Sequence, residues 1–268
     1  MSQLPVTIHG DGPALLCLHG GPGLSDYLAL LGEETSGWRR ITYTQRGLAP
    51  STSEGPFTVA QHVADAVAVL DELELADAVV LGHSWGGLLA AALVAEHPDR
   101  VRALLLVDPL GMVGDGGFER FGEEMLARTP ADVRIRADEL DQRAMSGEGT
   151  EDDALESLRL VWPAYFNDPS SAPPMPEMHL SVPCYSDTLE DAVTLLAGGS
   201  LPGRVAAYDG PVEVLYGLGS PMPAEAATDT AAAFSRGRAT GVPDAGHFPW
   251  LEQPGCVAAA LARMAAGL

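Results

Sequence analysis

Residues 82–86 read Gly-His-Ser-Trp-Gly. Before them runs "DAVVLGHS" (77–84), an apolar stretch of strand character. After them runs "WGGLLAAALVAEHP" (85–98), an Ala- and Leu-rich helix stopped by Pro98. A G-x-S-x-G in that setting dictates local geometry. The chain must leave a strand and enter a helix almost at once. The serine then sits in a strained turn, and only residues without side chains fit beside it. Such a turn lifts the Ser84 hydroxyl clear of the sheet. It also sets the hydroxyl at a helix N-terminus, where developing negative charge is favoured. The plainer alternative is an ordinary glycine cluster at a strand–helix junction. Either way, the segment predicts a strand–turn–helix unit.

The rest of the first part keeps that rhythm, the mark of βα units and a parallel sheet. "ALLCLHG" (14–20) and "RRITYTQRG" (39–47) are strands followed by turns. "TVAQHVADAVAVLDEL" (58–73) has helical spacing, with Val59, Val63, Val67 and Leu70 on one face. "VRALLLVD" (101–108) is a further buried strand. The pattern then changes. Between Gly111 and Arg204 lie eighteen acidic residues against seven arginines, with a Pro-rich stretch at 170–183. Strands return at "GPVEVLYG" (210–217) and "GRATGVPDAGH" (237–247), and "CVAAALARMAAGL" (256–268) is a final helix. The expected fold class is α/β, with a mostly parallel central sheet flanked by helices. Residues 1–111 and 206–268 form the core, and 112–205 an inserted helical cap.

Charge narrows the function. The net charge of −22 argues against nucleic acid and against anionic membranes, which both demand a basic surface. All fifteen basic residues are arginines, so Schiff-base and P-loop chemistry, which need lysine, are excluded. Cys17, Cys184 and Cys256 form neither a disulfide framework nor a zinc pattern. The N-terminus "MSQLPVTIHG" has no basic cluster followed by an apolar run, and a cytoplasmic location is expected.

Two further motifs flank the serine turn. "HGGPG" (19–23) directly follows the strand at 14–18, and "GHFPWLEQP" (246–254) places His247 between a strand and the last helix. Of the other histidines, His19 and His83 are read as shaping loops. His9, His62, His97 and His179 have no chemical context. Together "HGGPG", "YTQRG" (43–47), "GHSWGG" (82–87) and "GHFPWLEQP" resemble the α/β-hydrolase superfamily, in its proline iminopeptidase-like branch. The resemblance covers 14–111 and 206–268; the insertion matches only in position, as a cap. Two positions depart from it. Thr44 stands where relatives often have Asp, and Ala49 replaces the second glycine of a Gly-x-Gly-x-Ser.

The resemblance implies a serine hydrolase. Ser84 attacks a carbonyl carbon, and His247 takes its proton and later gives it to the leaving group. The backbone N–H groups of Gly21 and Trp85 form the oxyanion hole, with Gly20 the alternative to Gly21. The histidine also needs a buried carboxylate. The family's usual loop, here "YGLGSPMP" (216–223), offers Ser220 and no acid. Asp108 ends the strand at 101–108, at the sheet edge where active sites of such folds lie. Some lipases and haloalkane dehalogenases of this fold carry their acid there. Asp244 is too near His247 along the chain to reach back, and Asp209 lies at the wrong edge. Asp108 is therefore the expected acid, against the plainer reading of a turn cap, with Ser220 packed against it or against His247.

The expected substrate is a small ester, lactone or amide, including an aminopeptidase substrate of the iminopeptidase type. No metal or organic cofactor is implied. The rivals are a lyase or cyclase on the same fold and a non-catalytic ligand-binding protein. Trp85 is expected to line the pocket. Trp162, Trp250, Tyr165 and Phe166 are read as core, and the acidic insertion as a solvated helical surface.

Overall fold

The computed structural model describes residues 4–146 and 148–267. Leu268, the end of the expected final helix, lies outside them. Seven strands form one sheet: β1 (Val6–His9), β2 (Ala14–Leu18), β3 (Arg39–Tyr43), β4 (Ala78–His83), β5 (Val101–Val107), β6 (Val212–Gly217) and β7 (Gly237–Val242). Their order is β1-β3-β2-β4-β5-β6-β7. Only β1 is antiparallel, pairing Val6 with Tyr43; the other pairs are parallel.

The helices are α1 (Val59–Glu72), α2 (Trp85–Glu96), α3 (Phe118–Arg128), α4 (Ala131–Met145), α5 (Glu151–Val161), α6 (Val182–Ala197), α7 (Leu201–Val205), α8 (Ala224–Ala233), α9 (Pro249–Glu252) and α10 (Cys256–Ala265). The two-residue period of the strands divides the core between them. Leu16, Leu18, Val80, Leu104 and Leu106 pack on α1, α2 and α8. Leu15, Cys17, Val79, Leu81, Leu105 and Val107 pack on α10. A sheet covered on both faces needs apolar residues at every position, so β4 is buried throughout and reads as a continuous apolar run.

Side chains fix the element ends. The Thr58 hydroxyl accepts the Gln61 N–H and starts α1. Buried Glu34 caps α10 from afar, accepting the Gly255 and Ala258 N–H groups. Arg46 of "YTQRG" forms a two-pronged pair with Asp65 on α1 at 2.6 and 2.8 Å, which ties the loop after β3 to the helix layer.

Between β5 and β6 the chain runs through α3 to α7. The end of this insertion joins the main core: Ala192, Leu196, Leu201 and Val205 share the apolar cluster of α1 and α2. By contrast, α3 contains no buried residue. No helix among the described residues is long and apolar enough to cross a membrane.

Candidate active site

Ser84 sits between β4 and α2 at φ 55°, ψ −124°. A non-glycine residue there stores on the order of 1–3 kcal/mol, so its surroundings must over-determine it. They do. The Ser84 carbonyl accepts N–H bonds from Gly87 (2.8 Å) and Leu110 (2.9 Å), and its own N–H reaches the Val107 carbonyl at 3.2 Å. Crowding explains the motif's glycines. A Cβ at Gly82 would lie 2.2 Å from the Gly86 carbonyl oxygen, and one at Gly86 would lie 2.0 Å from that of Leu18.

Asp108 follows β5 and is fully buried. Its Oδ2 accepts from His247 Nδ1–H at 2.5 Å and from the Ser220 hydroxyl at 2.5 Å. Its Oδ1 accepts the Gly217 N–H at 3.0 Å. Three donors thus replace the water that a buried carboxylate has lost. Ser220 Oγ in turn accepts the Met222 N–H at 3.0 Å. The loop that lacks an acid therefore still reaches the histidine's carboxylate, through a hydroxyl. The other two aspartates lie elsewhere. Asp244 turns the backbone at φ 51° and its carbonyl accepts from Gln253. The Asp209 carbonyl accepts from Arg236.

The glycine loop is anchored by a buried chain of hydrogen bonds. Gly20 N–H donates to the Tyr27 hydroxyl oxygen at 2.8 Å. That oxygen lies 2.6 Å from His83 Nδ1, and His83 Nε2 lies 2.8 Å from the His247 carbonyl oxygen. A carbonyl only accepts, so Nε2 carries the proton. Burial first, and nearby His247 second, hold the His83 pKa well below its ordinary value. The ring is neutral, and its bare Nδ1 accepts the Tyr27 O–H. Gly20 has thereby committed its N–H. Gly21, at φ 62°, is the glycine of the pair that lines the cavity. Tyr27→Phe strands two buried polar atoms, and the expected result in urea melts is a stability loss of about 1–3 kcal/mol.

Ser84, Trp85, Gly21 and His247 share a cavity of about 130 Å³. Phe118 and Phe121 of α3 and Trp162 and Tyr165 after α5 close it from the insertion side. Trp162 and Tyr165 thus line the site rather than serve only as core, whereas Phe166 and Trp250 are buried in the core. A second chamber of about 460 Å³ shares Gly21, Leu24, Leu158, Tyr165, Tyr185 and Leu189 with the first and extends to Asp141. Partial burial pushes the Asp141 carboxyl above its usual range, against a lowering hydrogen bond with Ser157. Among the described residues no arginine lines either chamber. Among the described residues no group of three or more His, Cys, Asp or Glu is placed to hold a metal ion.

Sheet and site together define a doubly covered α/β protein with a strained serine, a glycine loop and an aspartate-bound histidine gathered at the C-terminal strand ends. Residues 13–254 match the family model described as the alpha/beta hydrolase fold, and the chain belongs to that family. Among curated relatives, a protein named putative carbamate hydrolase RutD, from Caulobacter vibrioides, is 35% identical over 108 residues, 34% of this chain and 40% of that one. The chain spans about two-fifths or less of the length of the first curated relatives it matches. The solved structure of VinJ superposes with TM-score 0.73 at 20% identity, covering 99% of this chain and 95% of that one. Proline iminopeptidase from Mycobacterium smegmatis does so with TM-score 0.66 at 22% identity, covering 98% and 94%. At such identities these structures establish the fold alone.

Proposed function

We propose that the protein is a serine hydrolase for a small uncharged ester, lactone or amide. The observation that carries this reading is the 2.5 Å Asp108–His247 contact beside a cavity that also holds the strained Ser84. Ser84 Oγ attacks the carbonyl carbon while His247 Nε2 takes its proton. Asp108 holds Nδ1–H and balances the imidazolium. The N–H groups of Gly21 and Trp85 receive the oxyanion, Trp85 from the first turn of α2. His247 returns the proton to the leaving group, and water then hydrolyses the acyl-enzyme by the same route. The insertion serves as the cap that excludes bulk water.

Cavity chemistry favours uncharged substrates. Apolar walls without arginine leave a substrate carboxylate unpaired. Among the described residues, Asp141 is the one charged group an ammonium would meet in the second chamber, so aminoacyl arylamides belong in the test. The experiment is a panel of p-nitrophenyl esters, lactones and aminoacyl arylamides, with fluorophosphonate labelling of Ser84. An ester with a carboxylate on its acyl group is expected to show kcat/KM lower by about tenfold or more than its neutral isostere. Equal values overturn the substrate class. A folded protein with neither acyl release nor a labelled Ser84 overturns hydrolysis in favour of a lyase or cyclase.

A further inference from the structure

The insertion does more than roof the cavity: it grips the loops that carry the site. Segment 165–167 is wedged between two of them. The His247 N–H donates to the Tyr165 carbonyl at 2.8 Å. The Asn167 N–H donates to one carboxylate oxygen of Glu252 at 3.0 Å, and the Gly246 N–H donates to the other at 2.6 Å. The fit is close on both sides. A Cβ at Gly246 would lie 2.4 Å from the Tyr165 carbonyl oxygen, and one at Gly219 would lie 1.9 Å from the Asn167 side-chain oxygen. From the end of α3, Arg128 donates to the carbonyls of Gly219 (2.6 Å) and Ser220 (3.1 Å). Ser220 then donates to Asp108. The Leu218 and Gly219 N–H groups tie the loop to the Val242 and Ala245 carbonyls at 2.9 Å each, so Arg128 is its hydrogen-bonded link to α3, on the side where Leu218 is 61% exposed.

We propose that Arg128 and Glu252 are positioning residues that make the insertion part of the triad's frame. This rests on the catalytic reading of Ser84, His247 and Asp108. Arg128 holds Ser220 where its hydroxyl meets Asp108 Oδ2. Glu252 locks the turn before His247 to the 165–167 segment. The base is set while α3 and that segment are docked, and it loosens when they lift. Neither residue touches the cavity, so substrate binding does not depend on them directly.

The test compares Arg128→Ala and Glu252→Gln with the parent on its best ester. In Glu252→Gln one of the two main-chain N–H groups faces an amide donor instead of an oxygen. Displacing catalytic groups by an ångström costs on the order of a hundredfold, so kcat is expected to fall about 10- to 100-fold in each variant. KM should change less than kcat, since neither replaced side chain lines the cavity. Two readouts separate positioning from bulk stability. Added guanidinium should restore kcat in Arg128→Ala and leave Glu252→Gln unaffected. The far-downfield NMR resonance of the His247 Nδ1 proton should broaden or shift in both. Unchanged kcat in both variants overturns the proposal. So does a loss of activity that only tracks the unfolded fraction. If Ser84→Ala is inactive while these two variants keep full kcat, the positioning role alone fails. If Ser84→Ala keeps turnover, the catalytic reading beneath it fails.

Discussion

Ser84→Ala is expected to lower kcat by about six orders of magnitude while leaving the fold intact, as loss of the nucleophile does where a triad acts as a unit. Turnover on the best ester, with circular dichroism as a check on folding, measures it. The backbone sharpens the comparison. At φ 55° an alanine keeps the strain of the turn, whereas a glycine releases it. Ser84→Gly should therefore be the more stable of the two inactive variants by about 1 kcal/mol. Equal stability would mean that the turn is less strained than its dihedrals imply. Substantial turnover in Ser84→Ala would remove the acyl-enzyme and favour a lyase or cyclase that uses the same cavity without a nucleophile.

The serine turn was legible because buried parallel strands read as unbroken apolar runs and the motif's glycines have a steric cause. Sequence spacing also found α1, whose apolar face and Thr58 cap agree with each other. β1 is not legible in the sequence because it is a four-residue antiparallel edge strand, defined by distant pairing with β3 rather than by its own pattern. The sequence reads Trp162 and Tyr165 as core because the direction in which the insertion folds back over the cavity is a tertiary fact. An aromatic "WPAY" within an acidic segment was the available hint. The roles of Arg128 and Glu252 are illegible for another reason: Glu252 sits in "GHFPWLEQP" and Arg128 pairs with Glu124 one turn earlier, but the bonds that matter go to main-chain atoms of distant segments, which no side-chain spacing encodes. Asp108 was findable only because the loop after β6 lacks an acid. The sequence suggests only that Ser220 packs against Asp108 or His247; that its hydroxyl donates a hydrogen bond to the carboxylate is a distance, and no spacing encodes it.

Asp108→Asn is expected to lower kcat by about 10⁴, with KM little changed. The bonds around the carboxylate explain why. Gly217 N–H fixes an acceptor at one oxygen, so the asparagine carbonyl takes that place and its NH₂ faces His247 and Ser220. The NH₂ needs an acceptor, and His247 supplies it by baring Nδ1. The proton then sits on Nε2, and the ring can no longer take one from Ser84. Near wild-type turnover in this variant would place the acid elsewhere. The vacant position after β6 offers a stricter test. Ser220 Oγ and His247 Nδ1 both lie 2.5 Å from Asp108 Oδ2, so a carboxylate at 220, one bond longer than the hydroxyl, is expected to reach that proton. Adding Ser220→Asp to Asp108→Asn should recover on the order of 10- to 100-fold in kcat, the part of general-base catalysis that tautomer control governs. The new carboxylate also accepts from the asparagine NH₂, which frees the ring to keep its proton on Nδ1. Recovery would mean that the site takes its negative charge from either of two adjacent strand ends, with the geometry at Nδ1 deciding activity. No recovery with Asp108→Asn inactive would mean that the Gly217 N–H and full burial, which only Asp108 has, are what keep the carboxylate fixed enough to serve.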